Sequence, residues 1–254
     1  MKKPTGWLIL IMIVGLIAAA TAYALSTNNV RWKVNGSALA SGQTRSVTSS
    51  AVLSQTLKSS GIEVRCTGVA GSVGMALQGS NSPNAGTAEG KLTYSGCTVL
   101  GFEKCKINGS RPGSFETEPL TIELVYLTKA GAEKEEIANG INAMLVKPKE
   151  GTKLAEFTAS PESECPGTSP VTIDGAPGKT GILFKALETT ANEELETHEI
   201  EGPSTALKTY FTNTGGKTEE HTGEGIEAGG GAATYTGRVR VSVGSGNKYN
   251  LVVP

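Results

Sequence analysis

The sequence predicts an all-β protein: an antiparallel β-sandwich or irregular barrel, stapled by disulfides, behind an N-terminal signal or anchor helix. Three observations carry that expectation. Glycine is abundant, at 33 of 254 residues, and aromatics make up only 5%, a composition suited to short strands joined by tight turns. Apolar side chains recur at alternate positions in run after run, the period of half-buried strands. Four cysteines follow an apolar leader, the pattern of an exported, crosslinked chain.

The leader has the parts of an export signal. Lys2 and Lys3 form a short positive region, residues 7–20 are almost wholly apolar, and Ala22-Tyr23-Ala24 supplies the small–x–small pattern at which a signal peptidase cuts. The mature chain would then start near Leu25. The alternative is an uncleaved anchor, because residues 7–23 are about long enough to cross a bilayer when tilted. Both readings place the rest of the chain outside the cytoplasm. No cysteine lies near the cleavage point, which argues against a lipoprotein. The apolar run lacks the early glutamate of a pilin signal. The expected organisation is residues 1–24 as signal peptide or membrane anchor and 25–178 as a β domain with the four cysteines. Residues 179–254 form a second β segment, in the same domain or as a smaller second sheet.

Cys66, Cys97, Cys105 and Cys165 allow three pairings. The expected one is Cys97–Cys105 with Cys66–Cys165. The first needs only a hairpin over residues 90–108. The second closes a loop of about 100 residues, worth about 4–5 kcal/mol in the chain-entropy model. Zinc is disfavoured: there is no CxxC pair, and His198 and His221 lie far beyond the last cysteine.

Along the chain, Val30, Trp32 and Val34 alternate with charged residues, and Asn35-Gly36 follows as a hairpin turn. Residues 43–60 read as a strand and then a loop. Ile62, Val64 and Cys66 share one face. A strand is expected at 72–78, then the cysteine hairpin, then a polar loop at 110–119. Residues 120–128 are the clearest strand, with Leu120, Ile122, Leu124 and Tyr126 on one face and a second face carrying Val125 and Leu127. Segments 140–147 and 154–159 read as the next two strands of an antiparallel meander. Further strands are expected at 171–174, 179–187, 205–212, 234–243 and 249–253. The acidic stretch 189–202 reads as a short helix or a solvated connection, and 213–232 as a mobile excursion.

The formal net charge is −1, so no strong field recruits nucleic acid or an anionic surface. Asp174 is the sole aspartate, and no calcium-loop pattern exists. Gly178-Lys179-Thr180 and Gly216-Lys217-Thr218 resemble the end of a phosphate loop. The required first glycine is replaced by Ile173 and Phe211, so both read as turns. His198-Glu199 lacks the second histidine of a zinc protease, since position 202 is Gly202. No G-x-S-x-G elbow occurs. A Ser–His–Asp triad would have to use Asp174 with His198 or His221, both expected in exposed stretches. Glu116 and Glu118 are the better enzymatic pair, one to each side of Thr117 and about 6–7 Å apart if extended. The plainer reading is two solvated carboxylates at a strand entrance. Trp32, Tyr94, Phe102, Phe115, Tyr126, Tyr210, Phe211 and Tyr235 could include a sugar-stacking platform, with core packing as the default. The asparagines at Asn35-Gly36-Ser37 and Asn108-Gly109-Ser110 match the glycosylation acceptor pattern, but the turn explains them without it.

The runs VRWKVNGSAL, IEVRCTG, GKLTYSGCTVLGFEKCKING and MLVKPKEGTKLAEF, followed by a later cysteine, resemble a group of exported bacterial β-rich proteins with four cysteines and no known activity. The likeness covers residues 30–176 and implies an extracytoplasmic β domain. It brings no catalytic residues with it.

The expectation is therefore a secreted or cell-envelope protein that binds or builds and does not catalyse. It has no catalytic, cofactor or metal residues, and its site residues are the disulfide cysteines Cys97, Cys105, Cys66 and Cys165. Its partner would be a cell-envelope polymer or protein, with membrane contact only through an uncleaved leader. The alternatives are an exported glycoside-active or other hydrolytic enzyme using glutamates, and a membrane-anchored surface protein.

Overall fold

The computed structural model describes residues 31–59, 61–72, 74–81, 84–126, 142–161, 164–166, 170–175, 181–186, 194–202, 209–214, 217–222, 225–244 and 246–252. The expected leader and the charged turn at 129–136 lie outside these residues. All named elements are β-strands.

Eight antiparallel strands close a barrel: β3 (Thr44–Ala51), β6 (Ala76–Gln78), β7 (Thr87–Gly90), β11 (Leu120–Tyr126), β12 (Asn142–Pro148), β15 (Ile182–Ala186), β16 (Thr197–Gly202) and β20 (Gly231–Val243). In that order each pairs with the next, and β20 returns to β3. Closure leaves the ring without an edge.

The walls continue past one rim. A second set of strands comprises β4 (Gln55–Ser59), β5 (Glu63–Gly71), β8 (Leu92–Val99), β9 (Lys106–Asn108), β13 (Lys153–Ser160), β14 (Val171–Gly175) and β19 (Ile226–Ala228). These pair in turn from β20 through β4, β5, β8, β9, β13, β14 and β19 back to β20. The β8–β9 step is the single pair Thr98↔Lys106. Between β8 and β13 lies β10 (Ser114–Glu116), paired to β8 and bridged to β13 through Thr117↔Ala155.

Most walls are one strand broken at a waist. β3 runs into β4, β5 into β6, β7 into β8, β10 into β11, β12 into β13 and β14 into β15. Among the described strands, β20 alone crosses unbroken: residues 231–236 pair with β19 and β4, and residues 237–243 with β16 and β3. One apolar cluster runs through both halves, from Trp32 and Val243 to Ile107 and Phe157. Outward positions such as Thr48, Ser50, Arg65, Thr67, Glu156 and Thr158 are exposed. This polar-out, apolar-in alternation is the reverse of a lipid-facing barrel.

A small sheet covers the far end of the first ring. It contains β1 (Arg31–Val34), β2 (Ser37–Ala38) and β21 (Tyr249–Val252), ordered β2-β1-β21. The β1–β2 turn is the predicted Asn35-Gly36, with φ of 49° and 82°. Positive φ at both central residues is the geometry that selects this dipeptide. Outside the barrel, β17 (Thr209–Thr214) and β18 (Lys217–Thr222) form a hairpin joined to β11 by Tyr126↔Phe211. Tyr210 packs with Val125, Ala143, Leu145 and Leu183 on the outer wall. That cover explains why β11 and β12 are apolar on both faces.

Several expectations are corrected. The disulfides are Cys66–Cys97 and Cys105–Cys165, not Cys97–Cys105 with Cys66–Cys165. Cys66 and Cys97 sit directly opposite each other in the β5–β8 ladder. Continuing the register of Thr98↔Lys106 sets Cys97 against Ile107 and Cys105 against Val99, so the nearest cysteines in sequence are not cross-strand partners. β12 pairs with β15, and β13 pairs with β14 and β9. The expected three-strand meander therefore breaks at the waist, where residues 149–152 carry the chain from one ring to the other. Residues 43–60 hold two strands, and 72–78 holds only the short β6. β10 lies inside the expected loop at 110–119. β16 replaces the helix or connection expected at 189–202, because its partner β20 supplies the ladder that its acidic sequence does not advertise. β18 and β19 fall within the expected excursion at 213–232.

Candidate functional site

The barrel interior is filled. Among the described residues, apolar cavities of about 50 Å³ and 60 Å³ lie one toward each half, sharing Leu92, Tyr94, Val146, Phe184 and Tyr235 at the waist. Each is a few water volumes, far below the roughly 300–1,000 Å³ of a small-molecule pocket. Aromatic rings occupy the waist. Tyr94 stacks on Phe115 with centroids 4.9 Å apart, Phe115 lies 5.1 Å from Phe157, and Phe184 meets Tyr235 edge-on at 5.7 Å. Trp32, Tyr94, Phe115, Tyr210 and Tyr235 are buried, so these aromatics pack the protein and offer no stacking platform. Phe102 is exposed.

A short polar chain crosses this apolar waist. The Tyr94 hydroxyl lies 3.4 Å from that of Tyr235, and Tyr235 donates to the Gln55 amide oxygen. The Gln55 amide nitrogen donates to the carbonyls of Leu53 at 2.5 Å and Arg238 at 3.1 Å. Gln55 thus ties the β3–β4 break to the unbroken β20. Sequence reasoning missed it, because a single glutamine between serines and threonines carries no periodic signal. Gly237 makes the approach possible: a Cβ there would overlap the Gln55 amide. Gly237→Ala is expected to cost about 2–4 kcal/mol through overpacking and lost hydrogen bonds. Urea denaturation measures this, and the cost should shrink when Gln55→Ala is added.

Burial raises the Tyr94 phenol above its ordinary value, and it raises Tyr235 well above, with Tyr94 adding to the effect. The neutral phenols are favoured in the folded state, so unfolded tyrosine loses its proton first. Their contribution is complete below the ordinary value of 10.0 and declines as pH rises through and beyond it. Stability should therefore fall above about pH 10, with a slope of up to about 1.4 kcal/mol per pH unit for each phenol. Tyr235→Phe should flatten that slope in pH-dependent urea titrations; an unchanged slope would contradict the assignment.

The paired carboxylates separate. Glu116 lies 3.7 Å from Lys91, and Glu118 lies 3.1 Å from Lys153. Glu118, by hydrogen bonding, and Glu156 raise Lys153 above its usual value. Glu118 borders an open depression of about 630 Å³ with Lys149, Glu150 and Lys153, whereas Glu116 does not line it. The two carboxylates thus pair with different lysines, and only Glu118 borders that depression. Glu116→Gln and Glu118→Gln should each change stability by less than about 1 kcal/mol, as expected for exposed pairs, in the same denaturation assay.

The triad candidates are also dispersed. His198 is buried, not exposed as expected, with Nε2 2.6 Å from the Tyr249 carbonyl and its ring edge-on to Tyr249 at 4.5 Å. His221 stacks on Tyr210 in the outer hairpin, with centroids 4.8 Å apart. Asp174 meets Thr152 at the waist. Among the described residues no three His, Cys, Asp or Glu side chains converge to hold a metal. Residues 178–180 and Gly216 lie outside the described residues; Lys217 and Thr218 begin β18. No protein-family model, curated protein or solved structure matches the chain.

Proposed function

We propose that this protein is a non-enzymatic binding or structural module that works outside the cytoplasm, secreted or in the cell envelope. The observation that carries the reading is the pair of disulfides stapling one half of a barrel whose interior is packed. Crosslinks of this kind persist in oxidising compartments, and a filled barrel leaves its polar outer wall and end loops as the surfaces for contact. The apolar leader ending in Ala22-Tyr23-Ala24 adds the route of export. A cell-envelope polymer or protein is the partner class this reading favours.

The test is a thiol count and N-terminal sequencing of native material from the culture medium and the envelope fraction. The expected result is no maleimide-reactive thiol after denaturation without reductant, and a chain starting near Leu25. Four free thiols would remove the extracytoplasmic assignment, and an intact leader in the membrane fraction would make the protein an anchored one. Turnover of a glycoside or ester that disappears in Glu116→Gln or Glu118→Gln would replace the module with an enzyme.

A further inference from the structure

The two disulfides occupy unlike surroundings. Cys66 and Cys97 are 2% and 5% exposed, lie opposite each other in the β5–β8 ladder, and belong to the continuous core. Cys66 also lines the inner cavity of its half. A reductant reaches this bond only if the β5–β8 wall opens. Cys105–Cys165 lies at the end remote from the β1–β21 sheet, between the turn after β8 and the connection from β13 to β14. Cys105, 2% exposed, belongs to the same core cluster, and Cys165 packs against it but is only partly buried. Lys104 and Glu164, the residues just before the two cysteines, also meet there, 3.5 Å apart with 78% and 42% of their side chains exposed.

We propose that Cys105–Cys165 is a thiol-exchange site, open in the folded protein to a dithiol reductant of the thioredoxin-like class, while Cys66–Cys97 is closed to it. Thiol–disulfide exchange needs a sulfur that the attacking thiolate can reach. Cys165 is the most exposed of the four cysteines, the other three being buried. Cys105, the buried end of the bond, is the leaving thiol. In the first step a thiolate of the reductant bonds to Cys165 Sγ, the Cys165–Cys105 bond breaks, and Cys105 leaves as the thiolate and takes up a proton. In the second, the reductant's other thiolate attacks the mixed disulfide and Cys165 leaves. The reductant ends as a disulfide and the protein carries two thiols. The reaction frees the β13–β14 connection from residues 100–105, the turn on which Leu100 and Phe102 stand 39% and 43% exposed. The proposal rests on the extracytoplasmic, disulfide-bonded reading.

The test is native-state reduction with a reduced dithiol protein of the thioredoxin-like class, quenching with N-ethylmaleimide, and peptide mapping. Near-UV circular dichroism checks that the barrel stays folded. Cys105 and Cys165 should be labelled at least on the order of tenfold faster than Cys66 and Cys97, as expected when one site reacts from the folded state and the other needs sub-global opening. A single-cysteine form of the reductant should trap a mixed disulfide on Cys165. Equal labelling of all four cysteines, protection of all four until denaturant is added, or trapping on Cys105 would each overturn the proposal. Four thiols free before any reductant would instead overturn the compartment reading. The double variant Cys105→Ser/Cys165→Ser should keep the near-UV signal and an oxidised Cys66–Cys97; its loss would show a bond too integral to exchange in the folded protein.

Discussion

Trp32→Ala should destabilise the protein by about 3–5 kcal/mol, the range for removing a large aromatic from a packed interior. Trp32 is 2% exposed and stands where the β1–β21 sheet closes the barrel end. Its ring borders the cavity of about 60 Å³ beside Met75, Leu77 and Ala88. Its indole nitrogen donates to the Thr87 carbonyl at 2.7 Å. Removing the ring enlarges an already imperfect interior and strips that carbonyl of its partner. The side chain also fixes its neighbours, because a Cβ at Gly86 would press on both the ring and the Trp32 backbone. Trp32→Phe should cost less, since it restores most of the apolar volume and loses only the hydrogen bond and the second ring. Urea denaturation followed by far-UV circular dichroism measures both. A cost below about 1 kcal/mol for the alanine variant would mean that the end sheet does not close the core, since it is less than ordinary cavity formation requires.

The second large effect is expected for Cys66→Ala/Cys97→Ala. The bond spans 31 residues of sequence, for which the chain-entropy model gives about 3.5–4 kcal/mol. Both side chains face inward against Val64, Val99 and Tyr94 in one core cluster, so the alanines also leave a void. The 60-residue span of Cys105–Cys165 gives a slightly larger entropic figure, about 4 kcal/mol, but that bond lies at the barrel's end and takes less packing with it. The inner pair should therefore cost at least as much as the outer pair despite its shorter loop. Thermal denaturation of both double variants decides this, and a clearly smaller loss for the inner pair would show that loop entropy outweighs core packing here.

Alternation made the all-β class and many individual strands legible. Trp32 and Val34, then Ile62, Val64 and Cys66, then Val239, Val241 and Val243 announce strands because a pleated chain sends every second side chain to one face. Asn35-Gly36 announced its turn because few other residue pairs accept two positive φ angles. The less regular parts of the sequence hid the rest. β16 carries Glu196, Glu199 and Glu201 in or beside it and looks like a wet surface. It is a strand because Arg238 and Arg240 on β20 stand opposite, with Arg240 2.8 Å from Glu199. β10 is three residues long, too short for any period to show. The candidate sites fared differently. Ion pairing of Glu116 and Glu118 with separate lysines depends on which strands lie beside them, and Gln55 gains its role only because Tyr235 and the Arg238 carbonyl reach it from about 180 residues further along the chain.

The sequence alone determined the class of the protein, the faces of its clearest strands, the tight turn at Asn35-Gly36 and the presence of four cysteines. Those are local properties, set by neighbours within a few residues. The tertiary structure decided that the sheet closes, that most walls break at a common waist while β20 runs through, that Cys97 meets Cys66, and that Tyr210 covers the outer wall. Each of these is a choice of partner between segments far apart in sequence. A strand's alternating pattern says which face goes inward but is silent about which strand lies alongside.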